Sequence, residues 1–353
     1  MKAAVLTGIR KVEVRDAPDT PAPGTGEVLV SVGAVGVCGS DVHYFRTGRI
    51  GGQVVEYPYT VGHECSGVVE QVGPHVSRVR PGDRIAIEPA IACHSCDQCI
   101  AGRPNTCRNL RFMSCPGEAE GLLRERILVP EKNCFTVPDN VTLEQAAFAE
   151  PLSVGVYSVK RSSCAAGSSA GVLGTGPIGL SVLLSLRAAG ITACYASDRL
   201  APRRAAAGRV GAKWIGDPGA TDVLSALVAG PGAPEPAGLD VVFECCGEQE
   251  ALDQAIRLLK PGGELVIVGI PDAGRISFDV DDFRRKEIST TYIRRQAKCV
   301  AEAVDVIAAN PADVDSLITH RFPVHETQDA FELVDGYRDG VIKAMIVLPR
   351  MQA

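Results

Sequence analysis

The chain has 353 residues, 46% hydrophobic and 22% charged, with a formal net charge of −6 and a pI near 5.6. That length exceeds one ordinary core and sets two domains as the expectation, while an acidic balance without a long Lys/Arg block excludes a nucleic-acid or anionic-membrane surface and a polyanionic substrate. No apolar run approaches the ~18 residues that span a bilayer, and the opening Met1-Lys2-Ala3-Ala4-Val5-Leu6 does not make a signal peptide; the thirteen cysteines are therefore expected in a reducing cytoplasm, where clusters hold metal.

Up to about residue 150, short β-branched runs at 27–32, 67–73 and 83–87 alternate with Gly and Pro, the pattern of a compact β-barrel-like domain. Three chemistry-bearing segments fall inside it: Cys38-Gly39-Ser40-Asp41-Val42-His43-Tyr44, Val61-Gly62-His63-Glu64, and Cys93-x2-Cys96-x2-Cys99-x7-Cys107. Ala149-Glu150-Pro151-Leu152 ends this half. From there apolar strands alternate with Ala/Leu-rich helices: strand 170–174, helix to 189, strand 192–196, helix to 210, strand 239–243, helix to 259, strand 264–269. Such alternation predicts βαβ units on a doubly wound parallel sheet, so the fold class is α/β. The Ala/Gly/Pro-rich stretch 220–238 is read as one short helix and a loop. After about Tyr292 the pattern loosens, and 344–348 is read as a last strand returning to the first domain. The expected domains are 1–153, completed by 292–353, and 154–291.

Gly174-Thr175-Gly176-Pro177-Ile178-Gly179 lies between a predicted strand and a predicted helix. The glycines permit the tight turn, close approach of backbone to a pyrophosphate, and close helix packing, and the helix N-terminus favours the anion. Asp198 closes the second strand nineteen residues after Gly179, where a carboxylate accepts from both adenosine ribose hydroxyls and repels a 2′-phosphate, favouring NAD over NADP. Arg199 works against that preference. Arg203 either stacks on the adenine or is a solvated helix residue.

Four thiolates at short spacing close a tetrahedral shell, so Cys93, Cys96, Cys99 and Cys107 read as a structural zinc site. One Cys, one His and nearby carboxylates from separated segments suit a catalytic zinc with an open position; Cys38 and His63 are the first ligands, with Glu64 or Glu150 as the third. His43 either relays a released proton through Ser40 and the cofactor ribose or caps a helix. The remaining eight cysteines are read as small apolar fillers.

Cys38 through Tyr44, Gly48-Arg49-Ile50-Gly51, Gly62-His63-Glu64, Pro81-Gly82-Asp83-Arg84, Glu150-Pro151-Leu152-Ser153-Val154-Gly155, Gly176-Pro177-Ile178-Gly179 and Thr319-His320-Arg321-Phe322-Pro323 together resemble the zinc-dependent medium-chain dehydrogenases, in their sorbitol/xylitol (polyol) branch. The resemblance runs over nearly the whole chain. It implies a GroES-like catalytic domain made of both chain ends and an inserted Rossmann domain. It further implies zinc on Cys38, His63 and Glu64 with Glu150 bound directly or through water, and substrate contacts from Tyr44, Glu150 and the pocket-shaping lobe that begins at Phe112. NAD would be held by Ile178, Asp198, Arg203 and the Val268-Gly269-Ile270 turn, and the assembly would be a tetramer or a dimer. Where the branch commonly has Phe-Arg-Tyr, this chain has Ile293-Arg294-Arg295-Gln296; Arg294 or Arg295 takes the arginine's place toward cofactor or substrate, and the tyrosine has no counterpart.

These readings converge on an NAD- and zinc-dependent oxidoreductase that takes a hydride from a secondary hydroxyl of a polyol and leaves a ketose, with two zinc ions per subunit. The alternative within enzymes is the same chemistry on a cyclitol, butanediol or threonine-type amino alcohol. From a different class, a non-catalytic binding protein on this fold is disfavoured, because such proteins lose the ligands that Cys38, His63, Glu64 and Glu150 retain.

Overall fold

The computed structural model describes residues 1–220, 223–228, 237–271 and 273–349. The chain divides into two units, Met1–Glu150 with Val300–Ala353, and Pro151–Cys299.

The first unit is built on a seven-stranded sheet whose path runs Cys134–Thr136, Arg84–Ile87, Glu64–Val72, Glu27–Gly36, Lys343–Val347 and Ile318–Pro323, with Arg126–Pro130 also pairing onto Glu27–Gly36. Glu27–Gly36 sits at its centre because nearly every position is apolar or small: Val28, Val30, Val32, Ala34 and Val35 are all buried. The C-terminal strand returns antiparallel to it, with Met345 opposite Gly36 and Ile346 opposite Val35, one residue earlier in its start than the sequence suggests. A three-stranded sheet of Lys11–Asp16, Lys2–Gly8 and Tyr59–Thr60 covers one side. Phe45 and Phe331, rings 5.5 Å apart, join the core between the helices Gly39–Thr47 and Thr327–Asp335.

The second unit carries a six-stranded, all-parallel sheet in the order Trp214–Gly216, Ala193–Ser197, Ser169–Leu173, Leu239–Glu244, Leu259–Ile267, Ser289–Tyr292. Taken by strand sequence this is 3-2-1-4-5-6, the doubly wound order that places ligands beyond the carboxyl ends of the strands where the order reverses. Helices Pro177–Ala188, Ala201–Arg209 and Gln249–Leu258 supply the crossovers. Of the stretch read as a short helix and loop, the helix is Val223–Val228; 221–222 and 229–236 lie outside the described residues. Among the described residues, no helix is long and apolar enough to cross a membrane.

Candidate metal centre and dinucleotide loop

Cys38 immediately precedes the helix Gly39–Thr47, with extended backbone, so its side chain stays off the helical surface. His63 immediately precedes and Glu64 opens the strand Glu64–Val72, and Gly62 takes φ +94, a turn only glycine makes without strain. These segments bring one ligand atom each from Cys38, His63 and Glu64 within 4.8 Å of one another. Two of the three are buried, His63 at 5% and Glu64 at 1% exposure. Ser40 Oγ donates to Cys38 Sγ at 3.3 Å, and His43 follows, half-buried, on the same helix. Glu150, half-buried in the first turn of the helix Ala149–Arg161, is not part of this group, though its charge acts on the same surroundings through Lys343.

Around the group stand residues that sequence reasoning left without a role. Asp41, fully buried, lies with Oδ2 3.2 Å from His63 Nδ1, and its Oδ1 accepts from Ser114 Oγ at 2.7 Å and from the Gly62 N–H at 3.4 Å. A carboxylate against Nδ1 fixes the ring and leaves Nε2 as the free ligand atom. Burial alone disfavours a charged His63, but the neighbouring Asp41 and Cys38 outweigh it and push its pKa well above the ordinary value. That is the environment of a site made to receive positive charge.

On the other side, Lys343 Nζ donates to both oxygens of Glu64 at 2.7 Å and to the Val37 carbonyl at 3.2 Å, with Lys343 and Glu64 both at most 2% exposed. Burial opposes the lysine's charge; Glu64 and Cys38 more than restore it and raise its pKa. A buried Lys–Glu pair is costly to assemble and more costly to break. Both residues had a sequence signal: Asp41 is the one carboxylate in the segment Cys38–Tyr44 that carries the candidate thiol ligand, and Lys343 interrupts the otherwise apolar run 341–348, where a charge demands a partner.

Phe112 packs its ring 5.3 Å from that of His63, and Tyr44, buried, donates its hydroxyl to Gln53. Cys93, Cys96, Cys99 and Cys107 form a second compact group, with Cys107 Sγ 3.4 Å from Cys93 Sγ and 3.8 Å from Cys96 Sγ. A disulfide is about 2.05 Å, and four sulfurs about 2.3 Å from one ion sit roughly 3.8 Å apart, so these distances fit a tetrahedral thiolate site. The Ser95 backbone N–H leads the interactions that hold the Cys93 thiol down to about 5.

In the second unit, Gly174 follows the strand Ser169–Leu173 at φ +88, and a side chain at Gly179 would strike the Gly174 carbonyl, 1.9 Å from where its Cβ would sit. Gly176 precedes the helix and Pro177 occupies its first turn, followed by half-buried Ile178. Asp198 is placed at the strand end as read from the sequence, and it also has a local duty: Oδ2 accepts from Thr175 N at 2.7 Å and Oδ1 from Leu200 N at 2.8 Å. A carboxylate accepts about four hydrogen bonds, so these two leave capacity on each oxygen. Arg203 lies over Gly176, its nearest atom 3.4 Å from that glycine's Cβ position. Val268 is buried, Gly269 has no room for a side chain beside Glu244 and Gly247, and Ile270 is exposed. Arg294 is exposed, and Arg295, half-buried, takes φ +53 beyond the strand Ser289–Tyr292. One reading needs correcting: Cys246 is exposed rather than a buried filler, because it follows the strand end and abuts the first glycine of the loop.

Residues 24–139 match the alcohol dehydrogenase GroES-like domain and residues 177–309 match the zinc-binding dehydrogenase domain. The sorbitol dehydrogenase of Bacillus subtilis (strain 168) is 34% identical over 346 residues, covering 98% of this chain and 97% of that protein. Among solved structures, a protein named as a zinc-binding dehydrogenase from Sinorhizobium meliloti 1021, bound to NADP, is 34% identical with a TM-score of 0.89 over 98% of each chain. The 2R,3R-butanediol dehydrogenase of Bacillus subtilis is 30% identical with a TM-score of 0.87 over 99% of each chain. With its GroES-like half, its doubly wound half and matches of this extent, the chain belongs to the zinc-dependent medium-chain dehydrogenase/reductase superfamily, polyol branch, and is a zinc-dependent dehydrogenase.

Proposed function

We propose that the chain oxidises a secondary hydroxyl of a linear polyol to a ketone, with NAD as the hydride acceptor and zinc on Cys38, His63 and Glu64. The observation that carries this reading is the compact Cys38–His63–Glu64 group, held from one side by Asp41 and from the other by Lys343. A zinc ion there would act as a Lewis acid that lowers the pKa of a hydroxyl; the nicotinamide, when bound, supplies the hydride acceptor. The protein's own part is positional. Asp41 presents His63 Nε2, Lys343 balances the charge that Cys38 and Glu64 concentrate, and Ser40 donates to the thiolate sulfur. Glu150 and His43 complete the surroundings, Glu150 toward the metal's remaining position and His43 carrying the released proton outward. Tyr44 and Phe112 are the substrate contacts of the first unit, and Arg295, in the second, is the arginine assigned to substrate.

The dinucleotide rests on Gly174, Gly176, Pro177, Ile178 and Gly179, with Arg203, Arg294 and the Val268–Gly269–Ile270 turn as its other contacts. Asp198 supports NAD as the preferred form; the relative that binds NADP and the exposed Arg199, 3.4 Å from Glu250, make NADP the comparison to run. The Cys93–Cys107 group holds a second, structural zinc. Thirteen free cysteines suit a reducing, cytoplasmic setting, and a homotetramer or dimer is the assembly to test by light scattering. Butanediol is the second substrate reading, favoured by the likeness to a butanediol dehydrogenase.

The experiment follows reduced-nicotinamide absorbance with sorbitol, xylitol, L-arabitol, galactitol, inositol, 2,3-butanediol and threonine, with NAD or NADP, before and after chelation. Chelator-sensitive, NAD-linked turnover of a linear polyol is the expected result; turnover confined to butanediol or threonine sinks the polyol assignment.

A further inference from the structure

The parallel sheet of the second unit reverses its strand order between Ser169–Leu173 and Leu239–Glu244, and ligands of such sheets lie beyond the carboxyl ends of the strands at that reversal. Glu244 is the last residue of the second of these strands, opposite Leu173 on one side and Ile267 on the other. It is 0% exposed, and an acidic side chain is buried so completely where something holds it.

What holds it is backbone. Glu244 Oε1 accepts from the Cys246 N–H at 2.8 Å and from the Gly247 N–H at 2.6 Å. The Glu244 carbonyl accepts from the Val268 N–H at 2.8 Å and the Gly269 N–H at 2.9 Å, and Oε2 stands 2.6 Å from where a side chain at Gly269 would begin. The turn after Glu244 also backs the glycine loop, because a Cβ on Gly174 would lie 2.8 Å from Cys246 Cβ and 3.1 Å from Cys246 N. One buried residue thus ties the turn after its own strand to the turn after the next strand, and the first of those turns packs on the loop after Leu173.

The strand order says which part of a dinucleotide those turns face. Asp198 follows the strand Ala193–Ser197 on one side of the glycine loop, and the turns held by Glu244 lie on the other. With its pyrophosphate on the loop and its adenosine toward Asp198, a dinucleotide extends its nicotinamide nucleoside over Cys245–Gly247 and Val268–Ile270. We infer that Glu244 is a positioning residue for the nicotinamide half of the dinucleotide: through Oε1 and its carbonyl it fixes these two turns relative to each other before the ligand arrives. The inference rests on the dinucleotide reading and deepens it. Fully buried, Glu244 acts through the peptide groups it holds, which lowers the ordering cost of binding.

The test uses the full-length, zinc-loaded chain with the reduced dinucleotide it prefers and with the adenosine half of that ligand alone: NADH and AMP, or NADPH and 2′,5′-ADP. Dissociation constants come from nicotinamide fluorescence and from competition against it. Glu244→Met keeps the length of the side chain and leaves the Cys246 and Gly247 N–H groups without their acceptor, so the dinucleotide should bind at least about tenfold more weakly. The adenosine half should stay within about twofold of wild type, and KM for the oxidised dinucleotide should rise more than kcat falls. Glu244→Gln keeps an oxygen for both N–H groups and should hold the dinucleotide within about threefold of wild type. Where Glu244→Met folds poorly, Glu244→Ala removes the same acceptor without adding bulk and carries the same comparison. Equal losses for the dinucleotide and its adenosine half would assign Glu244 to the fold of the whole loop cluster and overturn the inference, as would a dinucleotide affinity unchanged in these variants; either leaves the dinucleotide reading standing. A wild type that binds neither NADH nor NADPH overturns that reading, and the inference with it.

Discussion

The two cysteine-bearing groups of the first unit, each proposed to hold a cation, gather their ligand atoms in opposite ways. Cys93, Cys96, Cys99 and Cys107 come from one short stretch folded by its own turns: Cys96 precedes the helical turn Asp97–Ile100, Cys107 follows the 3-10 turn Pro104–Thr106, and three of the four thiols are only half-buried. At Cys93 the nearby groups, led by the Ser95 peptide N–H, favour the thiolate without any distant help. The Cys38–His63–Glu64 group is assembled from separate segments, and its His63 and Glu64 are buried. Each is therefore held by a partner from elsewhere, Asp41 for His63 and Lys343, 279 residues along the chain, for Glu64. A local, closed set of soft ligands suits a structural ion; a mixed, supported and buried set suits one that must stay reactive. The first should fail alone, and the second should fail together with its supports.

The largest expected difference comes from removing one ligand of each kind. His63→Ala should lower kcat by at least about a thousandfold and reduce bound zinc from two ions per chain to one, measured by elemental analysis beside the nicotinamide assay. Cys96→Ser should give the same zinc count while retaining a far larger share of turnover and losing thermal stability. If the two variants are equally inactive, the division of labour between the groups is wrong.

Lys343→Met comes next. It leaves the Glu64 carboxylate buried without its partner, and the loss is expected near 3–5 kcal/mol of unfolding free energy in urea. Adding Glu64→Gln removes the stranded charge, so the double variant should regain a large part of the stability while staying catalytically impaired. A double variant no more stable than Lys343→Met would show that the lysine acts through packing rather than through Glu64.

Asp41→Asn tests the other support at smaller cost. A neutral amide holds the His63 ring less firmly and gives up its charge, and zinc affinity at the mixed group should weaken about 10–100-fold, read by competition with a chelator of known strength. The four-cysteine group should hold its ion unchanged, because none of its sulfurs depends on Asp41.

The contrast also explains what the sequence could show. The four cysteines are legible because their geometry is written in consecutive spacing, and four of the six parallel strands are legible because Ser169–Leu173, Ala193–Ser197, Leu239–Glu244 and Leu259–Ile267 each carry their own apolar pattern, whereas the short strands Trp214–Gly216 and Ser289–Tyr292 do not. Cys38 and His63 could be read as ligand types, and Asp198 could be placed at its strand end. What could not be read is partnership at long range. Nothing in the spacing says that Lys343 reaches Glu64, because that contact is made by the strand pairing that brings the chain end beside Gly36. Nor does it say that Asp198 anchors Thr175, since that contact is made where the pairing of Leu173 with Ser197 sets two strand ends side by side. Cys246 is a case of the same kind: composition favours a buried cysteine, and only the end of the strand shows it leaving the interior.

The smallest effect isolates a single hydrogen bond within the support of the mixed group. Ser114 holds φ +71, an unfavourable conformation for a residue with a side chain, and from it donates to Asp41. Ser114→Ala keeps the strain and deletes the bond, so stability should fall by about 1 kcal/mol. Ser114→Gly also deletes the bond but relieves a left-handed penalty of about 1–2 kcal/mol, so its stability should stay near or above wild type. Zinc affinity should behave otherwise, falling a few-fold and equally in both variants, because Asp41 loses the same donor in each. Chemical unfolding and chelator competition on the two variants therefore separate strain from support. Affinities that track stability instead would mean that Ser114 serves the fold of its loop and not the metal group.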